Sequence, residues 1–185
     1  MFQTFRVLLA FSMIFSSLSL NSAIYDDDIL GIFSKVMPRF VLMSSKREAV
    51  KDEINICISR DDIDEKKADL LIKKTSSNYP NGIKNIHIRF KKTNFSNIEQ
   101  CKESELIFLF NSNQTNIQGA LNFSHRNTIL TMAYDSNILE SGADVSMFLG
   151  RKVVPYININ SIQKKEIVMN NNLLRISKIY NKEDK

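Results

Sequence analysis

The side chains able to do chemistry here are few. Cys57 and Cys101 are the only cysteines, His87 and His125 the only histidines, and Asp61, Asp62, Asp64 and Glu65 form a short acidic run. The cysteines stand 44 positions apart and form no CxxC pair, so a thioredoxin-like redox centre is not expected. In an oxidising compartment two such thiols close into a disulfide; in a reducing one they stay as separate buried thiols. Neither histidine has an HxxxH or HExxH partner, so no metal site is expected. His87 lies inside a strand pattern and reads as a polar-face or hydrogen-bonded residue.

The acidic run follows the first strand pattern, where ligands and Mg²⁺ gather in doubly wound sheets. A phosphoacceptor site would also need an aspartate ending the third strand, and Asn111 stands there. That reading fails for want of an acceptor. Two readings remain. Asp61 or Asp62 caps the following helix with Glu65 supporting its first turn, or Asp61, Asp62, Asn111 and Asn113 line a ligand crevice at the strand ends. The five glycines form no GxGxxG cluster, and a P-loop and a GxSxG elbow are absent. No nucleophile–base pair can be assembled, so the expected protein is not an enzyme and carries no cofactor.

The compartment follows from the N-terminus. Arg6 precedes Val7–Leu20, an almost wholly apolar run of 14 residues, followed by Asn21, Ser22 and Ala23. A bilayer crossing takes about 20 residues, so residues 1–23 read as a secretory signal peptide cleaved after Ala23. The mature chain, 24–185, would then be an exported protein in which Cys57 and Cys101 are bonded. Its 185-residue precursor carries 25 basic and 20 acidic side chains. The excess falls in pairs (Lys66–Lys67, Lys73–Lys74, Lys91–Lys92, Lys164–Lys165), each read as lying near acidic residues or on a solvated helix face. Nothing suggests a nucleic-acid stripe interleaved with aromatics.

Strand and helix patterns alternate along the mature chain. A helix with Ile29, Ile32, Phe33, Val36 and Phe40 on one side starts after Asp26–Asp28, with Pro38 expected to kink or divide it. Strands are expected at EINICISR, IKNIHIRF, ELIFLFN and TILTMA. The third, continuously apolar, suits a strand covered on both faces. Helices are expected after Asp61 with Ile63, Leu70 and Leu71 inward, near 95–103, over 115–124 and over 137–140. DVSMFLG and KVVPYININ read as a hairpin about Gly150-Arg151, with Pro155 consigning its second strand to the sheet edge. A closing asparagine-capped helix places Leu173, Ile176 and Ile179 inward. This order predicts one three-layer, Rossmann-like α/β domain, its sheet mainly parallel with an antiparallel hairpin at the C-terminal edge.

Several segments resemble the YfiR/HmsC-like family of periplasmic regulators. INICISRDD is similar to that family's first strand and CKESELIFLF to its cysteine-led third. TILTMAYDSNILESGADVSMF resembles the ILTVSD segment and glycine-rich hairpin, and YININSIQKKEIVMNNNLLRISKIY the closing signature. Three positions depart: Met43-Ser44 replace a Trp-Pro pair, Gly142-Ala143 a double glycine, and Asp144-Val145 an apolar pair. The resemblance implies a non-catalytic periplasmic protein that represses an inner-membrane diguanylate cyclase, lowering cyclic-di-GMP. Related domains accompany sensor kinases, and a homodimer is implied. It places the disulfide at Cys57–Cys101, and it gives Gly142, Asn158, Leu173, Leu174 and Arg175 structural roles. The alternative reading is a periplasmic small-molecule sensor serving a kinase or transporter.

Overall fold

The computed structural model describes residues 26–180. The expected signal peptide lies outside them. No helix among the described residues is long and apolar enough to cross a membrane.

Alternation of apolar residues along the strands generates two cores. In β1 (Glu53–Arg60), Ile54, Ile56 and Ile58 face one core while Cys57 faces the other. In β3 (Leu106–Leu109), Leu106 and Phe108 take the first side, Ile107 and Leu109 the second, and all four are buried. With β2 (His87–Asn94), β4 (Leu130–Ala133), β5 (Val145–Leu149), β6 (Val153–Ile157) and β7 (Lys178–Ile179), they form one sheet in the order β2-β1-β3-β4-β5-β6-β7. All neighbours are parallel except β5 and β6. Since β1 pairs with both β2 and β3, the order reverses there, creating a topological switch point.

The first core is covered by α1 (26–42), α2 (Glu65–Asn78) and α6 (Asn171–Ile176), with Ile162 of α5 (Ile159–Lys164) added. The second is covered by a 3-10 segment, Phe95–Cys101, and by α3 (Gln114–Arg126) and α4 (Ile138–Ser141). The three-layer, mainly parallel architecture expected of the sequence is therefore present.

Pro38 does not divide α1. It has no N–H to offer a carbonyl one turn earlier, but Phe33 and Met37 before it, and Phe40 and Val41 after it, are buried in the same core. That shared burial keeps the helix in one piece. The α1 aspartates also tie the layer together. Asp26 accepts from the Tyr134 hydroxyl (2.5 Å) and pairs with Lys67 (3.1 Å), and Asp27 pairs with Lys74 (2.9 Å). Burial alone would lower the Lys67 pKa, but the hydrogen bond and charge of Asp26, with Asp64, raise it.

Other local expectations need correction. Ile63 is 89% exposed because the segment after β1 begins as a 3-10 turn, Asp62–Asp64, before α2. Neither Asp61 nor Asp64 makes a side-chain cap, and Asp62 reaches Asn94 and Arg60 instead. Glu65 pairs with Arg60 and Lys92. The hairpin is closed by three residues, since Leu149 pairs with Val153. β6 is not the edge, because Ser177 ends α6 and the chain adds β7 beside Tyr156 and Ile157. Pro155 lies just past that short strand. Ending α6 early also leaves Ile176 62% exposed. At Gly82, with φ +74°, an added Cβ would fall 2.0 Å from the Ile86 carbonyl oxygen, so this turn requires glycine.

Candidate functional site

Cys57 and Cys101 form a disulfide with Cα atoms 5.5 Å apart, joining β1 to the last residue of the 3-10 segment. Both residues are fully buried. Within the 3-10 segment, Phe95 and Ile98 pack beside them in the second core.

The strand-end residues do not gather into one cleft. The Ser112 hydroxyl donates to Asp61 (2.6 Å) and accepts from the Asn116 side chain (2.8 Å). The Asn113 side chain accepts from the Asn116 backbone N–H, capping α3 (2.9 Å). Asp62 points to solvent beside Arg60 and Asn94. Asn111 lines a cleft of about 400 Å³ with Ser112, Asp135 and Asn137, but Asp61, Asp62 and Asn113 do not line it.

The densest buried polar arrangement lies elsewhere. Asp144, immediately before β5, is fully buried and accepts from the Thr131 backbone N–H (2.7 Å), the Thr131 hydroxyl (2.8 Å) and Lys165 Nζ (2.7 Å). Its other oxygen lies 2.7 Å from Ser161 Oγ. Lys165 Nζ also donates to Ser124 Oγ and the Ile129 carbonyl, each at 3.0 Å. An ammonium has three protons, and all three are used. Lys165 is therefore a brace and offers no donor to a ligand. Burial lowers its pKa, with the charge and hydrogen bond of Asp144 opposing. Lys46 is lowered too, by burial first and then by the charge of Lys165, with Glu105 and Asp144 opposing.

This network fastens α3, β4, β5 and α5 together. The Lys164–Lys165 pair is thus not a solvated face, because the Lys165 side chain is 2% exposed. The sequence signal was present in an acid embedded in the apolar ADVSMF run, and in Ser161 of α5 and Lys165 at its C-cap, one helical turn apart. What could not be read was that α5 would return beneath β4.

Of the family-signature residues, Gly142 and Asn158 adjoin this network through Ser161. Gly142 ends α4 at φ +113°, and its carbonyl lies 2.7 Å from Ser161 Oγ. Asn158 donates to the Leu139 carbonyl (3.0 Å) and accepts from the Ser161 N–H (3.1 Å), capping α5. Leu173 is buried and Leu174 half-buried, whereas Arg175 is exposed. Beside them opens a polar cavity of about 340 Å³, lined among others by Asn122, His125, Glu140, Asn158, Ser161 and Tyr180.

Solved structures share this fold at very low identity. A conserved domain protein from Vibrio cholerae aligns with TM-score 0.58 and 9% identity, covering 82% of this chain and 60% of its own. An ABC domain from Streptococcus pneumonia, solved with L-Trp, gives 0.59 and 8%, covering 77% of this chain and 58% of its own. A ligand-free, open substrate-binding protein with adhesive properties from Clostridium difficile gives 0.56 and 9%, with coverages of 80% and 58%. The chain thus spans about three fifths of those proteins. No curated protein gives a match to the sequence. A family model described as YfiR/HmsC-like matches residues 36–178, from the middle of α1 to the first residue of β7. The chain belongs to the YfiR/HmsC-like family.

Proposed function

We propose that this protein represses an inner-membrane diguanylate cyclase by binding its periplasmic domain, so lowering cyclic-di-GMP output. The family match over 36–178 carries this reading. The architecture supports it, because the buried ionic groups are consumed in bracing the domain and the protein is suited to act through contact. A partner that prefers one conformation of the cyclase shifts the population towards it. Export by the leader at 1–23 would deliver the mature chain to that domain, and self-association would present two copies of the surface.

The test is capture from membranes. Tagged mature protein, cross-linked in cells, is expected to recover a membrane protein carrying a cyclase domain. Eluates that repeatedly lack any cyclase or sensor kinase would contradict the reading.

A second reading, a small-molecule sensor, draws on the 340 Å³ polar cavity beside Asn158 and Ser161 and on the solute-binding character of two structural neighbours. Thermal shift against amino acids and other small polar metabolites distinguishes it. A specific rise in melting temperature, lost on Asn158→Leu, favours sensing. No rise for any compound favours repression by contact alone.

A further inference from the structure

Charge is unevenly divided along this chain. Residues 24–144 hold 16 basic and 17 acidic side chains, whereas 145–185 hold eight basic and three acidic, namely Glu166, Glu183 and Asp184. The positive excess therefore belongs to the C-terminal quarter rather than to pairs scattered over the surface. Lys165 is neutralised internally by Asp144. The loop residues Arg151 and Lys152 are exposed, as are Arg175 and Lys178.

The same region exposes apolar side chains. Leu149 and Val153 pair across the β5–β6 hairpin at 41% and 43% exposure. Facing each other across the strands, they project from one side of the hairpin. On the opposite side, Phe148 packs edge-on against Tyr156 (centroids 5.7 Å apart), and Lys178 Nζ sits 4.0 Å from the Phe148 ring centre. The tip is tightly built, since a Cβ on Gly150 would lie 2.7 Å from the Phe148 ring.

We infer that the β5–β6 hairpin docks on an anionic lipid bilayer, laying Leu149 and Val153 into the interface while Arg151 and Lys152 reach the phosphate layer. Long basic side chains can keep their charge at headgroup level while apolar neighbours sit deeper. Each cation near an anionic surface adds attraction. A protein partner adding a strand beside the part of β6 that β7 leaves uncovered is disfavoured, because Pro155 presents no N–H there. Two apolar side chains also fall well short of the ~800 Å² per partner of a standard protein interface. A lipid surface requires neither. The inference goes beyond the proposed repression and stands whether or not a cyclase is the partner.

Flotation of the mature protein with vesicles tests it. Binding is expected to phosphatidylcholine vesicles containing 30% phosphatidylglycerol and not to phosphatidylcholine alone, with loss in 0.5 M NaCl. Arg151→Glu/Lys152→Glu should weaken it at least about tenfold, and Leu149→Ser/Val153→Ser several-fold. Lys91→Glu/Lys102→Glu, an equal charge change at exposed sites on β2 and at the end of the 3-10 segment, should bind nearly as wild type. Wild-type protein that stays unbound with anionic vesicles overturns the inference, as would happen if the hairpin instead served an acidic protein. Equal weakening by the two charge-reversed pairs also overturns it, because net charge alone would then account for binding.

Discussion

The two sides of the sheet are held by different physics. On the first side, Phe33, Phe108, Phe110 and Tyr134 stack at centroid distances of 5.1 to 5.9 Å among buried aliphatic residues of α1, α2 and α6. This is non-directional burial, tolerant of small changes in shape. The second side carries the Cys57–Cys101 disulfide and packs beside the Asp144–Lys165 network. Covalent and hydrogen bonds are directional, and deleting one partner of a buried charged pair leaves the other stranded. The first side should therefore respond to mutation gradually, and the second abruptly.

The sharpest test of that contrast is the ion pair. Asp144→Leu strands an ammonium in the interior, and Lys165→Met strands a carboxylate. Each should cost about 3–5 kcal/mol in urea unfolding, while the double variant should recover most of the loss. Additive losses would show that the residues do not act as a pair. Next comes the disulfide. Its 44-residue separation corresponds to about 4 kcal/mol in the chain-entropy model, so Cys57→Ala/Cys101→Ala should lose roughly that amount and become insensitive to reductant. On the apolar side, Ile56→Val removes one methylene from a fully buried position and should cost only about 0.5–1.5 kcal/mol, with no dependence on pH or redox state.

The smallest effect is a pH slope. The folded-state pKa of Lys165 lies below its unfolded value, so between the two the unfolded chain binds more protons and stability rises with pH. Towards pH 10.5 the wild type should gain stability relative to Lys165→Met. A flat difference between the two curves would mean that Lys165 does not titrate as its burial dictates.

Much of the first side was legible in sequence. Strand alternation at Ile54, Ile56 and Ile58, the apolar run ending in Phe110, and the α1 spacing all report local periodicity, which burial on a single sheet face imposes directly. The disulfide was legible through compartment and resemblance. The ion pair was not, because its partners lie 21 positions apart and meet only after β5, β6 and α5 fold back under β4. Ile63 and Ile176 were misplaced for a related reason. Each keeps helical spacing, but one falls in a 3-10 turn and the other at a helix end, where the apolar stripe has turned away from the core. The acidic run after β1 suggested a crevice, yet Asp61 is engaged by Ser112, and hydrogen bonds across loops leave no periodic trace.

Intracellular cyclic-di-GMP, compared between cells with and without this protein, tests the account most directly. The account predicts a rise when the protein is lost, reversed by the wild type and not by the destabilised Asp144→Leu variant. An unchanged level on loss, with the cyclase expressed, would contradict it.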